Sequence, residues 1–223
     1  LPPMNVSMNR KGSHRRRTKI IATLGPGTDD PNRMEERLDT LNQRLSTYLS
    51  DSDVSRFNQS GSTDWCPVTT DTAMVVARSL EVSPATDGAF DVTVAPLVNL
   101  WGFGPEERPA EPPAPEALEA LRAASGFENL EATLAPPALR KRRPELWVDL
   151  SAIAKGYAVD EIAQLLDRAG LDRYMVEIGG EVRTRGRKAS GEEWRIGIER
   201  PDANGRAIHT AIPLTDLALA TSG

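Results

Sequence analysis

The residues most able to do chemistry in this chain recur at intervals of three. Asp149, Ala152 and Lys155 are spaced to bring a carboxylate, a backbone carbonyl and an ammonium near one another around the first turn of a helix. A plainer reading stays open beside it: Asp149 or Ser151 caps the helix, and Lys155 is a solvated helix charge. Gly88, Ala89, Phe90 and Asp91 set a small residue, an aromatic ring and a carboxylate in a row. They form either a point of close backbone approach or a turn capped by Asp91 and leading into a strand over Val92 to Val94. Tyr48, at or near a helix end, offers stacking area and a polar hydroxyl, or it is a tyrosine at the core edge. Gly179 and Gly180, ahead of Glu181, let backbone pass close to another group or mark a β-bulge.

Other chemistries lack their residues. Cys66 is the only cysteine, which rules out an intrachain disulfide, and His14 and His209 are too few for a zinc cage. Any metal is therefore expected to be a hard, oxygen-bound ion. His14 falls in a basic arm and His209 in an ordinary strand, so neither is a convincing general base. No Gly-x-x-x-x-Gly-Lys loop occurs, and no Gly-x-Gly-x-x-Gly turn follows a strand.

With 39% hydrophobic and 26% charged residues in 223, the composition is that of a soluble globular protein of one large domain or two small ones. Residues 1–28 hold six Lys and Arg and no acid, leaving 21 bases against 32 acids in the rest. Binding to nucleic-acid phosphates depends on clustered Lys and Arg. The acidic body argues for a small-molecule or protein partner, and a nucleic-acid role would rest on residues 10–19 alone. No apolar run approaches the roughly 18 residues that span a bilayer. The start Leu1-Pro2-Pro3-Met4 has no signal-peptide pattern, so an exported form is expected to have lost its leader.

The elements that must hold these residues can be read from periodicity. Met34, Leu38, Leu41, Leu45 and Tyr48 predict one amphipathic helix; Ala73, Val76, Ala77 and Leu80, after Thr69, Thr70 and Asp71, predict a second. A polar loop is expected between them. The prolines at 105, 109, 112, 113 and 115 predict a surface excursion over 104–115, and a short helix from Pro115 stops before Gly126. Brief strands are expected at Leu130 to Leu134, Leu139 to Arg142 and Leu146 to Asp149. A third helix follows from Ala152 and ends at Gly170. Beyond it the pattern predicts strands at Tyr174 to Ile178, Glu181 to Thr184, Trp194 to Glu199, Ile208 to Leu214 and Leu217 to Thr221. Order and spacing give an α+β fold rather than alternating βαβ units.

Four blocks carry a family resemblance: LSTYLSDSDVSRFN at 45–58, GAFDVTVAPLVNLWGFGP at 88–105, VDLSAIAKGYAVDEIAQLL at 148–166 and YMVEIGGEVRTRG at 174–186. With the Trp-x-Ile-Gly-Ile-x-x-Pro and Ala-x-Ala-Thr-Ser-Gly segments at 194–201 and 218–223, they resemble the ApbE family of FAD:protein FMN transferases. The resemblance implies mixed, largely antiparallel sheets with packed helices, of T-fold-like architecture. It implies an enzyme that binds FAD with magnesium and moves FMN onto a Thr or Ser of a flavin-accepting subunit of a respiratory complex, in an exported, membrane-anchored protein of the periplasm. It assigns Tyr48, Ala89, Phe90, Asp91, Asp149 and Lys155 to FAD, Lys155 to a phosphate, and the carbonyl of Ala152 to magnesium. A non-catalytic FAD-binding protein is the alternative.

Two stretches depart from the family pattern. Members open with a strand pair containing Thr-Met-Gly-Thr, whereas RRRTKIIATLGPGTDDP at 15–31 resembles the opening strand of pyruvate kinase. Residues 1–32 are therefore expected to be a basic, disordered or foreign segment, a disordered arm over 1–17 followed by a short strand at Ile20 to Leu24 that Gly25, Pro26 and Gly27 end, with the ApbE-like domain over 33–223. Members also continue past Thr-Ser-Gly with a His-Ile-x-Asp-Pro segment and an Asp-x-x-x-Thr helix bearing FAD contacts and further metal ligands. The domain is thus expected to be truncated at both ends, with only Ala152 for the metal and poor turnover.

Overall fold

The strands Tyr174–Ile178 and Glu181–Arg185 alternate buried residues with more exposed ones. This is the two-residue period of a sheet with one covered face. The computed structural model describes residues 4–8, 20–24, 31–103, 112–200 and 207–221. His14, residues 104–111 of the proline-rich stretch, Pro201 and the terminal Ser222 and Gly223 lie outside the described residues. The chain divides into two compact units, residues 1–37 with 155–223, and residues 38–154.

The first unit is built on an antiparallel sheet of β1 (Met4–Met8), β2 (Ile20–Leu24), β6 (Tyr174–Ile178), β7 (Glu181–Arg185) and β10 (Ala218–Leu219), in the order β1-β2-β6-β7-β10. Val176, Ile178, Val182 and Thr184 are buried. The strand read at Ile20 to Leu24 is present as β2, pairing with β6 from Ile20↔Ile178 to Thr23↔Met175, whereas β1 lies in the stretch read as a disordered arm and is held by its ladder to β2. A separate hairpin joins β8 (Trp194–Glu199) and β9 (Ile208–Leu214).

Helix α6 (Ser151–Arg168) buries Ala158, Val159, Ile162, Ala163 and Leu166. It ends where Gly170, at φ +77°, takes the left-handed conformation. Gly170 N–H donates to the Asp167 carbonyl at 3.0 Å and Leu171 N–H to the Leu166 carbonyl at 3.1 Å. This is the paired closure of a Schellman motif. Three ion pairs run along α6 onto alternate residues of β7: Lys155 with Glu181, Asp160 with Arg183, and Asp167 with Arg185. The Tyr174 hydroxyl also donates to Asp167 at 2.7 Å. Burial foremost, then this hydrogen bond, pushes the Tyr174 phenol up to about 12.

The second unit contains the three-stranded sheet β3-β5-β4 (Cys66–Pro67, Pro137–Lys141 and Leu130–Leu134). It also holds α3 (Thr70–Ala85), α4 (Ala95–Leu100) and α5 (Pro115–Ala124). Helix α1 (Pro31–Leu45) stops before Tyr48. The loop expected after it contains a helix, α2 (Asp53–Gln59), started by Ser52, whose hydroxyl accepts the Ser55 N–H at 2.9 Å. In α3 the buried stripe continues through Ser79 and Ser83, whose hydroxyls bond the carbonyls of Val75 and Ser79. Back-bonding satisfies these hydroxyls, so serine can occupy a core face.

One expected strand is absent, and so is the strand of the alternative reading of Gly88 to Asp91. Val92 to Val94 form a turn into α4. Leu146, Val148 and Leu150 are fully buried in strand-like alternation, yet the segment joins no sheet. No helix among the described residues is long and apolar enough to cross a membrane.

Candidate functional site

Five of the seven residues singled out by sequence lie in loops or first turns of the second unit, and Ala152 opens α6 there. Asp149 is half-buried in the extended segment ahead of α6. Its N–H donates to the Val92 carbonyl at 2.8 Å, so Asp149 lies against the residue next to Asp91. Asp149 Oδ1 accepts the Ser151 N–H at 2.8 Å and the Ser151 hydroxyl. This Asx turn, one residue ahead of the N-cap Leu150 whose carbonyl accepts the first helical bonds, satisfies the Ser151 N–H at the helix start. Among the described residues, Asp149 Oδ2 accepts no hydrogen bond. A carboxylate has about four acceptor positions, so the turn leaves room for a ligand donor.

Asp91 is more fully committed to the protein. Its Oδ1 accepts the Thr93 N–H at 2.8 Å and the Thr93 hydroxyl at 2.7 Å, and its Oδ2 accepts the Phe127 N–H at 3.0 Å. The Thr93 oxygen in turn accepts the Gly126 N–H at 2.7 Å. This network ties the turn before β4 to the Ala89–Asp91 segment. Ala89 is exposed and Phe90 half-exposed. The carboxylate thus fixes the backbone of this triplet.

Tyr48 follows α1 with its N–H on the Ser46 hydroxyl at 3.1 Å and its side chain 66% exposed. It is not a core-edge tyrosine; its ring is open to a flat partner. Five residues on, the chain enters α2, whose first residue Asp53 is buried. Asp53 accepts the Thr69 N–H at 2.8 Å and the Thr72 hydroxyl at 3.0 Å, and pairs with Arg56. Burial opposes its ionisation, but the hydrogen bonds from Thr69 and Thr72, with Arg56, hold the carboxyl below its ordinary value.

Ala152, in the first turn of α6, is exposed and presents only a methyl beside its carbonyl. A carbonyl oxygen suits a hard cation, which commonly completes its shell with substrate phosphate and water. Among the described residues no group of three or more His, Cys, Asp or Glu could hold a metal. Of the candidate residues, Ala152 is the one the resemblance assigns to magnesium, and a cation at its carbonyl would take the rest of its shell from phosphate and water.

Lys155 belongs to the first unit. Its Nζ donates to the Gly179 carbonyl at 3.3 Å and to Glu181 Oε1 at 3.2 Å. An ammonium has three donors, and the third is available to an anion. Gly179 and Gly180, at φ +57° and +95°, form a two-residue hairpin turn between β6 and β7, with Ile178 paired to Glu181. The pair is a turn of the primed type rather than a bulge, and the groups it admits are the Lys155 side chain and Thr221.

Sequence reasoning missed Asn58 and Lys141. Asn58 Nδ2 donates to the Val148 carbonyl and its Oδ1 accepts the Val148 N–H, both at 2.8 Å. Lys141 is fully buried, donates to the Asn58 and Leu146 carbonyls at 3.2 and 3.4 Å, and lies 5.3 Å from the Phe57 ring centroid. Burial pulls its ammonium below the ordinary lysine value. Nothing local in the sequence marks either residue, since the partners of both are distant backbone groups.

The ApbE family model matches residues 16–223, beginning inside the segment expected to be foreign. The FAD:protein FMN transferase of Vibrio cholerae is 47% identical over 202 residues, covering 89% of this chain and 60% of that protein. The enzyme of the same name from Haemophilus influenzae is 42% identical, covering 85% of this chain and 56% of its own length. The chain thus spans less than two thirds of these curated relatives. The solved structure of the flavin transferase ApbE from Vibrio cholerae superimposes with a TM-score of 0.84 at 43% identity, over all of this chain and 72% of that one. The described helices and antiparallel sheets are those the α+β reading leads one to expect.

Proposed function

The chain belongs to the ApbE family, and from that premise we propose that it acts as an FAD:protein FMN transferase, moving FMN from FAD to a hydroxyl of a target protein. The observation that carries the proposal is the Asp149–Val92 bond. It keeps a carboxylate with an open oxygen beside the Ala89–Asp91 backbone.

In this reading Asp149 Oδ2 accepts a donor of FAD, the open Tyr48 ring stacks on a flat portion of it, and the Ala89–Asp91 backbone, stiffened by the Asp91 carboxylate, borders the cofactor. Lys155 offers its remaining N–H to a phosphate, with Glu181 and the Gly179 carbonyl orienting it. A Thr or Ser hydroxyl of the target attacks the FMN-side phosphorus. The new P–O bond forms as the bridging P–O bond breaks, the hydroxyl proton departs and AMP leaves. The Ala152 carbonyl would hold magnesium in part, and the ion would supply charge neutralisation for the pyrophosphate. Positioning does most of the work, and no side chain is assigned as general base.

The natural target in this reading is a flavin-carrying subunit of a respiratory complex, and the setting is the periplasm, at a membrane anchor. Recovery of the natural protein from the cytosolic fraction would count against that setting. The activity itself is tested by incubating the natural full-length protein with FAD, magnesium and a Thr-bearing target peptide. The expected result is a peptide mass increase equal to FMN that is abolished by chelation. Flavin retained without any adduct would defeat transfer and leave a non-catalytic FAD-binding protein.

A further inference from the structure

Val148 is fully buried and joins no sheet, so its backbone groups need partners that a strand would ordinarily supply. Asn58 supplies both. Its side-chain amide imitates a neighbouring strand, accepting the Val148 N–H through Oδ1 and donating to the Val148 carbonyl through Nδ2. Only one orientation of the amide satisfies both bonds, so the peptide leading from Val148 to Asp149 has a fixed rotation. Asn58 itself is 6% exposed and sits at the end of α2, its own carbonyl held by Lys141. From the Val148–Asp149 peptide onward come the Asp149 N–H to Val92 and the Asp149 carboxylate to Ser151.

We infer that Asn58 is a positioning residue for Asp149: by clamping Val148 it sets the direction in which the open oxygen of the Asp149 carboxylate is presented to the flavin dinucleotide. The inference rests on the assignment of Asp149 to FAD made above. Asn58 touches no ligand in this account; it acts through one peptide group. Because it also ends α2, the helix that follows the Tyr48 turn, the same amide links the two segments from which ring and carboxylate are presented.

A double-mutant cycle on FAD affinity tests this, read by quenching of flavin fluorescence with the 223-residue chain. Asn58→Ala is measured alone and in the Asp149→Ala background, with unfolding midpoints recorded to show that each variant is folded at the titration temperature. Asn58→Asp, which keeps the acceptor for the Val148 N–H, takes its place in the cycle if the alanine variant does not fold. The expected result is a Kd raised about tenfold by the Asn58 change in the otherwise natural chain and by less than about twofold when Asp149 is already alanine. An equal factor in both backgrounds makes Asn58 merely structural and overturns the inference, as does an unchanged Kd in the natural background. A Kd that Asp149→Ala leaves unaltered overturns the assignment of Asp149 itself, and this inference with it.

Discussion

The N–H of Asp149 donates to the carbonyl of Val92 at 2.8 Å, joining two residues far apart in sequence at the point where a helix start meets a capped turn. Around that bond the neighbouring carboxylates divide their work. Asp91 accepts three donors from Thr93 and Phe127, while Asp149 spends one oxygen on Ser151 and keeps the other open.

Asp91→Ala should therefore cost stability as well as any ligand affinity. It strands the Phe127 N–H, the Thr93 N–H and the Thr93 hydroxyl, and unsatisfied donors of this kind cost about 2–3 kcal/mol together when partly accessible to water. Asp91→Asn, retaining one acceptor oxygen, should lose about half as much. Denaturant unfolding decides the matter. A stability unchanged by alanine would mean that the carboxylate does not hold this turn.

Gly180→Ala should destabilise the β6–β7 hairpin. A Cβ there would lie 2.4 Å from Thr221 Oγ1 at a residue with φ +95°, and backbone strain of this kind costs about 1–2 kcal/mol before any clash. Gly191→Ala, at φ +86° with nothing within 4 Å, carries strain alone and should cost less. Adding Thr221→Ala should bring the two midpoints together. Equal effects of the two glycine substitutions without that change would refute the close approach.

In the folded chain the hydrogen bonds from Thr69 and Thr72, with Arg56, outweigh burial and hold the Asp53 carboxyl below its ordinary value. A depressed acid contributes stability that is complete above the unfolded pKa and is lost as pH falls through the folded one. Asp53→Asn keeps an acceptor for Thr69 and Thr72 but has no charge to lose. Its stability should fall less steeply than the natural chain's as pH drops below about 4. Parallel acid unfolding curves would remove Asp53 as a contributor.

Where a residue's fate is decided by its near neighbours, the sequence was legible. The bounds of β6, β8 and β9 follow from alternation and turn residues, and α6 ends at Gly170 because only the residues just past a helix determine such a closure. The helix α2 was hidden because its apolar residues Val54 and Phe57 complete less than two turns, too few for periodicity to register. Val92 to Val94 carry β-branched side chains, yet the Asp91 network and Pro96 at the start of α4 turn the chain there. The segment from Leu146 to Asp149 reads as a strand because it is buried like one. Its partners are a side-chain amide 90 positions away and one distant carbonyl, which no local pattern announces. The family blocks single out Tyr48 and Asp149 as candidates. They do not single out Asn58 or Lys141, whose contacts to distant backbone no local pattern announces.

The central claim is that the open carboxylate oxygen of Asp149 binds FAD. It is tested most directly by titrating FAD into the natural chain, Asp149→Ala, and Arg122→Ala, a change at an exposed position of α5. The account predicts about a tenfold or greater loss of affinity for the Asp149 variant and a change within about twofold for the Arg122 variant. The same dissociation constant for all three proteins would contradict it.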